Sequence, residues 1–164
     1  MIELGYYNGE FKPLSEITIS PEDRGFLFGD GVYEVVRVHN GRCFALSYHE
    51  DRLYRSMRKL DIPVRIPPDE LSELHEILIE QSGINNGSIY LQITRGSGPR
   101  SHSYYKKNYE PNVFMYIKPY AETYDEAHKG VKAISLPDER WENCDVKSVN
   151  LIPNIMAATK ANKK

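Results

Sequence analysis

Residues 32–60 read VYEVVRVHNGRCFALSYHEDRLYRSMRKL, and this stretch decides the fold class. "VYEVVRV" is rich in β-branched residues and turns through Asn40-Gly41, the strongest two-residue hairpin signal, into "RCFALS". Helical grammar follows at once. Ser47 with Glu50 three residues on has the form of a capping box, and Leu53, Met57 and Leu60 recur at helical spacing. Pro63 marks the exit.

The same grammar repeats outward on both sides. "IELGYY" and "EFKPLS" read as strands joined by Asn8-Gly9, and the apolar alternation of "EITIS" predicts a third. "PPDELSELHEILIEQSG" predicts a second helix, with prolines at its entrance, Leu71, Leu74 and Leu78 on one face, and Gly83 as its C-cap. "SIYLQITRG" and "NVFMYIKPY" read as strands around the Tyr-rich loop "SGPRSHSYYKKNYE". "GVKAISLP" predicts a further strand, and "IPNIMAATKANKK" begins a helix after Pro153. Strand hairpins with two consecutive helices inserted make an α+β domain. Residues 1–120 are expected to form it, and 121–164 to open a second, incomplete domain.

Composition limits the function. The 164 residues suffice for a cored domain, and 40% apolar with 27% charged residues is ordinary for a soluble globular protein. A net charge of -2, with Lys and Arg dispersed, argues against nucleic-acid binding, which rests on neutralised phosphates. No segment has the length and apolarity of a membrane span or the form of a secretory signal, so the expected location is the cytoplasm. Cys43 and Cys144 are far apart, which suggests neither a disulfide framework nor a metal site. His49-Glu50 and His75-Glu76 each begin an H-E-x-x-H pattern, but no second histidine follows.

The candidates for chemistry are individually weak. "RGSGPR", residues 95–100, lacks the Gly-Lys-Ser/Thr ending of a phosphate-binding loop. Arg100 and His102, two apart, project to one side of an extended segment and could clamp a carboxylate; a solvated loop explains them as well. Arg52 could form an ordinary surface ion pair with Asp51. Tyr33 could simply fill core. Lys147, within "DVKSVN" and followed by Val149, Leu151 and Ile152, sits among small and apolar residues, and an enclosed lysine needs a reason.

Taken in order, "EDRGFLFGDGVYEVVRV", "HEDRLYRS", "IYLQITRGSGPRSH" and "RWENCDVKSVNLIPN" resemble the fold type IV pyridoxal-phosphate aminotransferases, from about Tyr6 to the last residue. The Arg-x-His of "PRSH" is similar to the D-amino acid-specific members; branched-chain aminotransferases and aminodeoxychorismate lyase share the "FGDGVYE"-like and lysine segments. The resemblance implies a transaminase that uses pyridoxal 5′-phosphate to move an amino group from D-alanine-like donors to a 2-oxo acid such as 2-oxoglutarate. It implies that Lys147 is the Schiff-base lysine and proton carrier, that Arg52 holds the cofactor phosphate, and that Tyr33, Arg100 and His102 trap the substrate carboxylate. In the family the Arg-x-His loop reaches the neighbouring subunit's site, so a homodimer is implied.

The implied fold is a small α+β domain followed by a larger α/β pseudo-barrel, of which this sequence contains only the start. The acid at the pyridine nitrogen and the backbone phosphate contacts would lie beyond residue 164. The expectation is therefore that the 164-residue chain alone is inactive or nearly so; the alternatives to D-amino acid transamination are a branched-chain aminotransferase, an aminodeoxychorismate lyase or a non-catalytic dimerising fragment.

Overall fold

The computed structural model describes residues 3–105, 107–120 and 129–163. Its centre is a six-stranded antiparallel sheet in the order β2-β1-β6-β5-β3-β4. The strands are β1 (Leu4–Tyr7), β2 (Glu10–Pro13), β3 (Gly31–His39), β4 (Arg42–Cys43), β5 (Gly87–Thr94) and β6 (Asn112–Pro119). Both Asn-Gly hairpins form as expected. Asn8 and Gly9 take φ of 50° and 108°, Asn40 and Gly41 take 49° and 73°, the left-handed pair that a two-residue turn demands.

Strand parity decides the layers. On β3, Val32, Val36 and Val38 are buried, as are Ile89, Leu91 and Ile93 of β5 and Val113, Met115 and Ile117 of β6. Two helices pack onto this face: α2 (Leu46–Lys59) with Leu53 and Met57, and α3 (Pro68–Ser82) with Leu71, Leu74 and Leu78. Gly83 ends α3 in the left-handed conformation, at φ 67°. The opposite face carries an aromatic row, Tyr33 stacked on Tyr90 and Tyr90 on Tyr116, with centroids 5.7 and 5.3 Å apart. Tyr33 therefore does not fill the core.

Several elements differ from expectation. The residue before α2 is Ala45, held left-handed at φ 53°, so the helix starts one residue before Ser47 and the capping box does not form. Glu50 instead accepts a hydrogen bond from Ser72 Oγ at 2.8 Å. "EITIS" makes no strand. A single 3-10 turn (Leu14–Glu16) leads into it, and Ile17 lies over Gly5, where a Cβ would come within 2.5 Å of its Cδ1. "GVKAISLP" is exposed and unpaired along residues 130–137. A short helix, α1 (Arg24–Phe28), was not expected; Asp23 caps it by accepting from the amides of Gly25 and Phe26, and Gly29 closes it. The C-terminal helix α4 spans Ile152–Asn162 with Pro153 in its first turn. The expected domain boundary falls beside residues 121–128, outside the described residues.

Candidate active site

The site begins with an unfilled edge. β4 pairs only with Val38 and His39, because the chain turns at Ala45 into α2, and the first half of β3 is left without a partner on that side. The segment around Lys147 takes the place. Tyr33 N–H donates to the Lys147 carbonyl at 3.0 Å, Val149 N–H donates to the Gly31 carbonyl at 3.2 Å, and Ser148 bridges Val32. Val146 and Ser148 are buried on either side of the half-buried Lys147, so strand alternation sends the lysine side chain the other way.

Its ammonium lies 4.0 Å from the centroid of the Tyr33 ring, a cation–π distance. Both residues line a cavity of about 310 Å³ together with Arg52, Trp141, Cys144 and Asn150. That volume is at the lower end of the roughly 300–1,000 Å³ of small-molecule sites. Asp145, at the rim, is paired with Lys59 of α2 at 2.7 Å, and that hydrogen bond holds its carboxyl below the ordinary range.

Arg52 does not pair with Asp51. Its Nε and one terminal nitrogen donate to the two Glu34 oxygens at 2.6 and 2.5 Å, a planar fork on a carboxylate. Glu34 is 1% exposed and takes His49 Nδ1 at 2.9 Å as well. It was missed in the sequence, although its parity with Val32, Val36 and Val38 marks it as a lone carboxylate on the buried face. Fixing the guanidinium plane this way leaves a cation on one cavity wall and an amine on another. Such an arrangement can hold an anionic group while presenting a nucleophile to a carbonyl.

Arg100 and His102 do not join this cavity. Both are exposed and flank Phe28 of α1, the Arg100 guanidinium carbon 5.4 Å and the His102 ring 5.5 Å from the Phe28 centroid. The loop that carries them is held from below by Arg24, whose terminal nitrogens donate to the carbonyls of Ser101 and His102 at 2.6 and 3.1 Å. Arg24 and Arg95 share Asp30, at 2.7 and 2.8 Å, and Arg95 also donates to the carbonyls of Leu60 and Asp61.

Residues 31–164 match the family model of amino-transferase class IV. The chain belongs to the class IV aminotransferases. A D-alanine aminotransferase of Staphylococcus aureus (strain N315) is 40% identical to this class IV chain over 152 residues, covering 93% of it and 54% of the relative. One of Bacillus licheniformis is 41% identical over 155 residues, covering 94% and 54%. The chain thus spans about half the length of the curated relatives it matches. The solved branched-chain amino acid aminotransferase of Escherichia coli superposes with a TM-score of 0.82 at 18% identity, over 99% of this chain and 55% of that one. At that identity the likeness shows the fold, which is fold type IV. Among the described residues of this class IV chain, no helix is long and apolar enough to cross a membrane, and no cluster of His, Cys, Asp or Glu could hold a metal ion.

Proposed function

We propose that the protein is, or is part of, a pyridoxal 5′-phosphate-dependent D-amino acid transaminase that moves an amino group from D-alanine-like donors to a 2-oxo acid such as 2-oxoglutarate. The observation that carries this reading is the Lys147 amine, set 4.0 Å over the Tyr33 ring in a cavity whose wall is the Glu34-anchored Arg52. The donor set fits the cofactor. An amine can condense with its aldehyde, and a charged planar fork suits its phosphate. The D-alanine aminotransferase relatives supply the donor class.

When bound, the cofactor ring supplies the electron sink for bond breaking at the substrate Cα. Lys147 Nζ moves the proton at that carbon, as a positioned amine can. Arg52 holds the phosphate, and Glu34 keeps its guanidinium from rotating away. Tyr33, Arg100 and His102 bind the substrate carboxylate. The side on which they hold it decides which Cα hydrogen faces Lys147, so enantiomer choice is a matter of placement. Arg100 and His102 stand outside the cavity that Lys147 lines, which supports a homodimer in which this loop serves the neighbouring copy. Residues 1–120 are taken as the small α+β domain and 121–164 as the beginning of the cofactor-binding domain.

The test is borohydride reduction with added pyridoxal 5′-phosphate, followed by peptide mass mapping, with Lys147→Ala as the control. A phosphopyridoxyl label confined to Lys147 is expected, and label spread over surface lysines would sink the reading that this chain assembles the cofactor site. This readout does not require turnover. Turnover of D-alanine at ordinary enzyme rates would refute the expectation that the 164-residue chain alone is inactive, and comparison with L-leucine as donor, with 2-oxoglutarate as acceptor, would then read the donor class.

A further inference from the structure

Helix α2 meets the candidate site through three residues, Arg52, Ser56 and Lys59, spaced at i, i+4 and i+7 on one face. Arg52 lines the cavity. Ser56 is 1% exposed, and a serine inside a helix commonly bonds back to its own turn. Here the Ser56 hydroxyl accepts the backbone N–H of Lys147 at 3.3 Å. One turn on, Lys59 Nζ holds both Asp145 oxygens, at 2.7 and 2.8 Å, two residues before the lysine. The Lys147 peptide is therefore gripped on both sides: its carbonyl by Tyr33 N–H of β3, its N–H by Ser56 of α2. Tyr33 is followed by Glu34, the anchor of Arg52, so the amine and the guanidinium are tied to the same two elements.

We infer that Ser56 and Lys59 are positioning residues that fix the reach between the Lys147 amine and the Arg52 guanidinium, and so match the site to a ligand carrying an aldehyde at one end and a phosphate at the other. The inference rests on the cofactor reading above. A bidentate ligand gains from its second contact only when the spacing between the two anchors is held. Loosening the Lys147 segment from α2 should leave the amine as reactive toward a simple aldehyde while weakening the advantage that the phosphate confers.

The experiment compares pyridoxal 5′-phosphate with pyridoxal, which lacks the phosphate, by the concentration that half-saturates borohydride-trapped label at Lys147. The wild-type protein should prefer the phosphorylated form, and Arg52→Ala should abolish that preference. Ser56→Ala should cut it by about three- to tenfold, the worth of one ordinary hydrogen bond, and Lys59→Met, which removes every donor to the exposed Asp145, by about two- to fivefold, with the pyridoxal value unchanged in both. Lys59→Arg, which retains a donor for Asp145, should keep the preference. Lys59 is on the surface, so its variants carry the test even where Ser56→Ala fails to fold. An unchanged preference in both variants, or equal losses for both aldehydes, overturns the positioning role and leaves the cofactor reading intact. A wild-type protein labelled at Lys147 no better than at surface lysines overturns the cofactor reading, and this inference with it.

Discussion

His75 has no exposed surface and donates its Nδ1 proton to the Leu71 carbonyl at 2.8 Å; its Nε2 finds no partner among the described residues. Burial is the main cause that pushes its pKa below the ordinary value; the Leu71 bond opposes the shift and His49 adds to it. The unfolded chain then binds a proton that the folded one refuses. Neutral His75 contributes nothing unfavourable above the unfolded value of about 6.5, and stability is lost as pH falls below it toward the depressed folded value. Urea midpoints at pH 7.5 and 5.5 should differ more for the wild-type protein than for His75→Leu, whose similar volume keeps the core filled. Equal differences in the two proteins would mean that His75 titrates freely.

Elements were legible in the sequence where a local rule had no competitor. Asn-Gly at 8–9 and 40–41 and Gly83 after α3 dictate backbone angles, and these features formed where expected. The Ser47 and Glu50 pattern lost to the turn at Ala45, because a capping box works only if the helix starts at the serine. Apolar alternation in "EITIS" did not lead to pairing: Ile17 packs over Gly5 while Ile19 is left exposed, an outcome that periodicity alone does not separate from a strand. Of the candidate site, the residue types were legible, but the Glu34 anchor and the Ser56 grip depend on tertiary contact. The joint between α1 and the lysine segment is of that kind. Gly29 closes α1 at φ 67°, its carbonyl accepts Asn150 Nδ2 at 3.2 Å, and a Cβ there would lie 2.3 Å from Asn150 Oδ1. Gly29→Ala should cost about 1–2 kcal/mol for the left-handed backbone, with more where Asn150 cannot yield. It should also reduce label at Lys147, three residues before Asn150. Urea unfolding and label yield check the two effects separately.

At the scale of the whole molecule, the Asp30 carboxylate is where the loop carrying Arg100 and His102, helix α1, the end of β5 and the end of α2 are tied together. Arg24 and Arg95, each with a side chain 4% exposed, both pair with it, and their remaining donors reach carbonyls of residues 60, 61, 101 and 102. Two buried guanidinium groups around one carboxylate cost desolvation that only the complete arrangement offsets. Asp30→Asn preserves shape and removes the charge, so it should destabilise the protein by about 3–5 kcal/mol, the usual consequence of leaving a buried ion without its partner. Because Arg24 holds the 101–102 backbone, the same change should free the exposed loop, and limited trypsin digestion should cut at Arg100 faster than in the wild-type protein at equal fractions folded. Should Asp30→Asn lower the urea-derived stability by less than about 1 kcal/mol, the value typical of an unexceptional substitution, the four carbonyls would be sufficient counter-charge for both arginines. The Arg24 hydrogen bonds to the 101–102 backbone would then hold without help from Asp30, and Arg24→Ala, not Asp30→Asn, would be the change that frees that part of the loop.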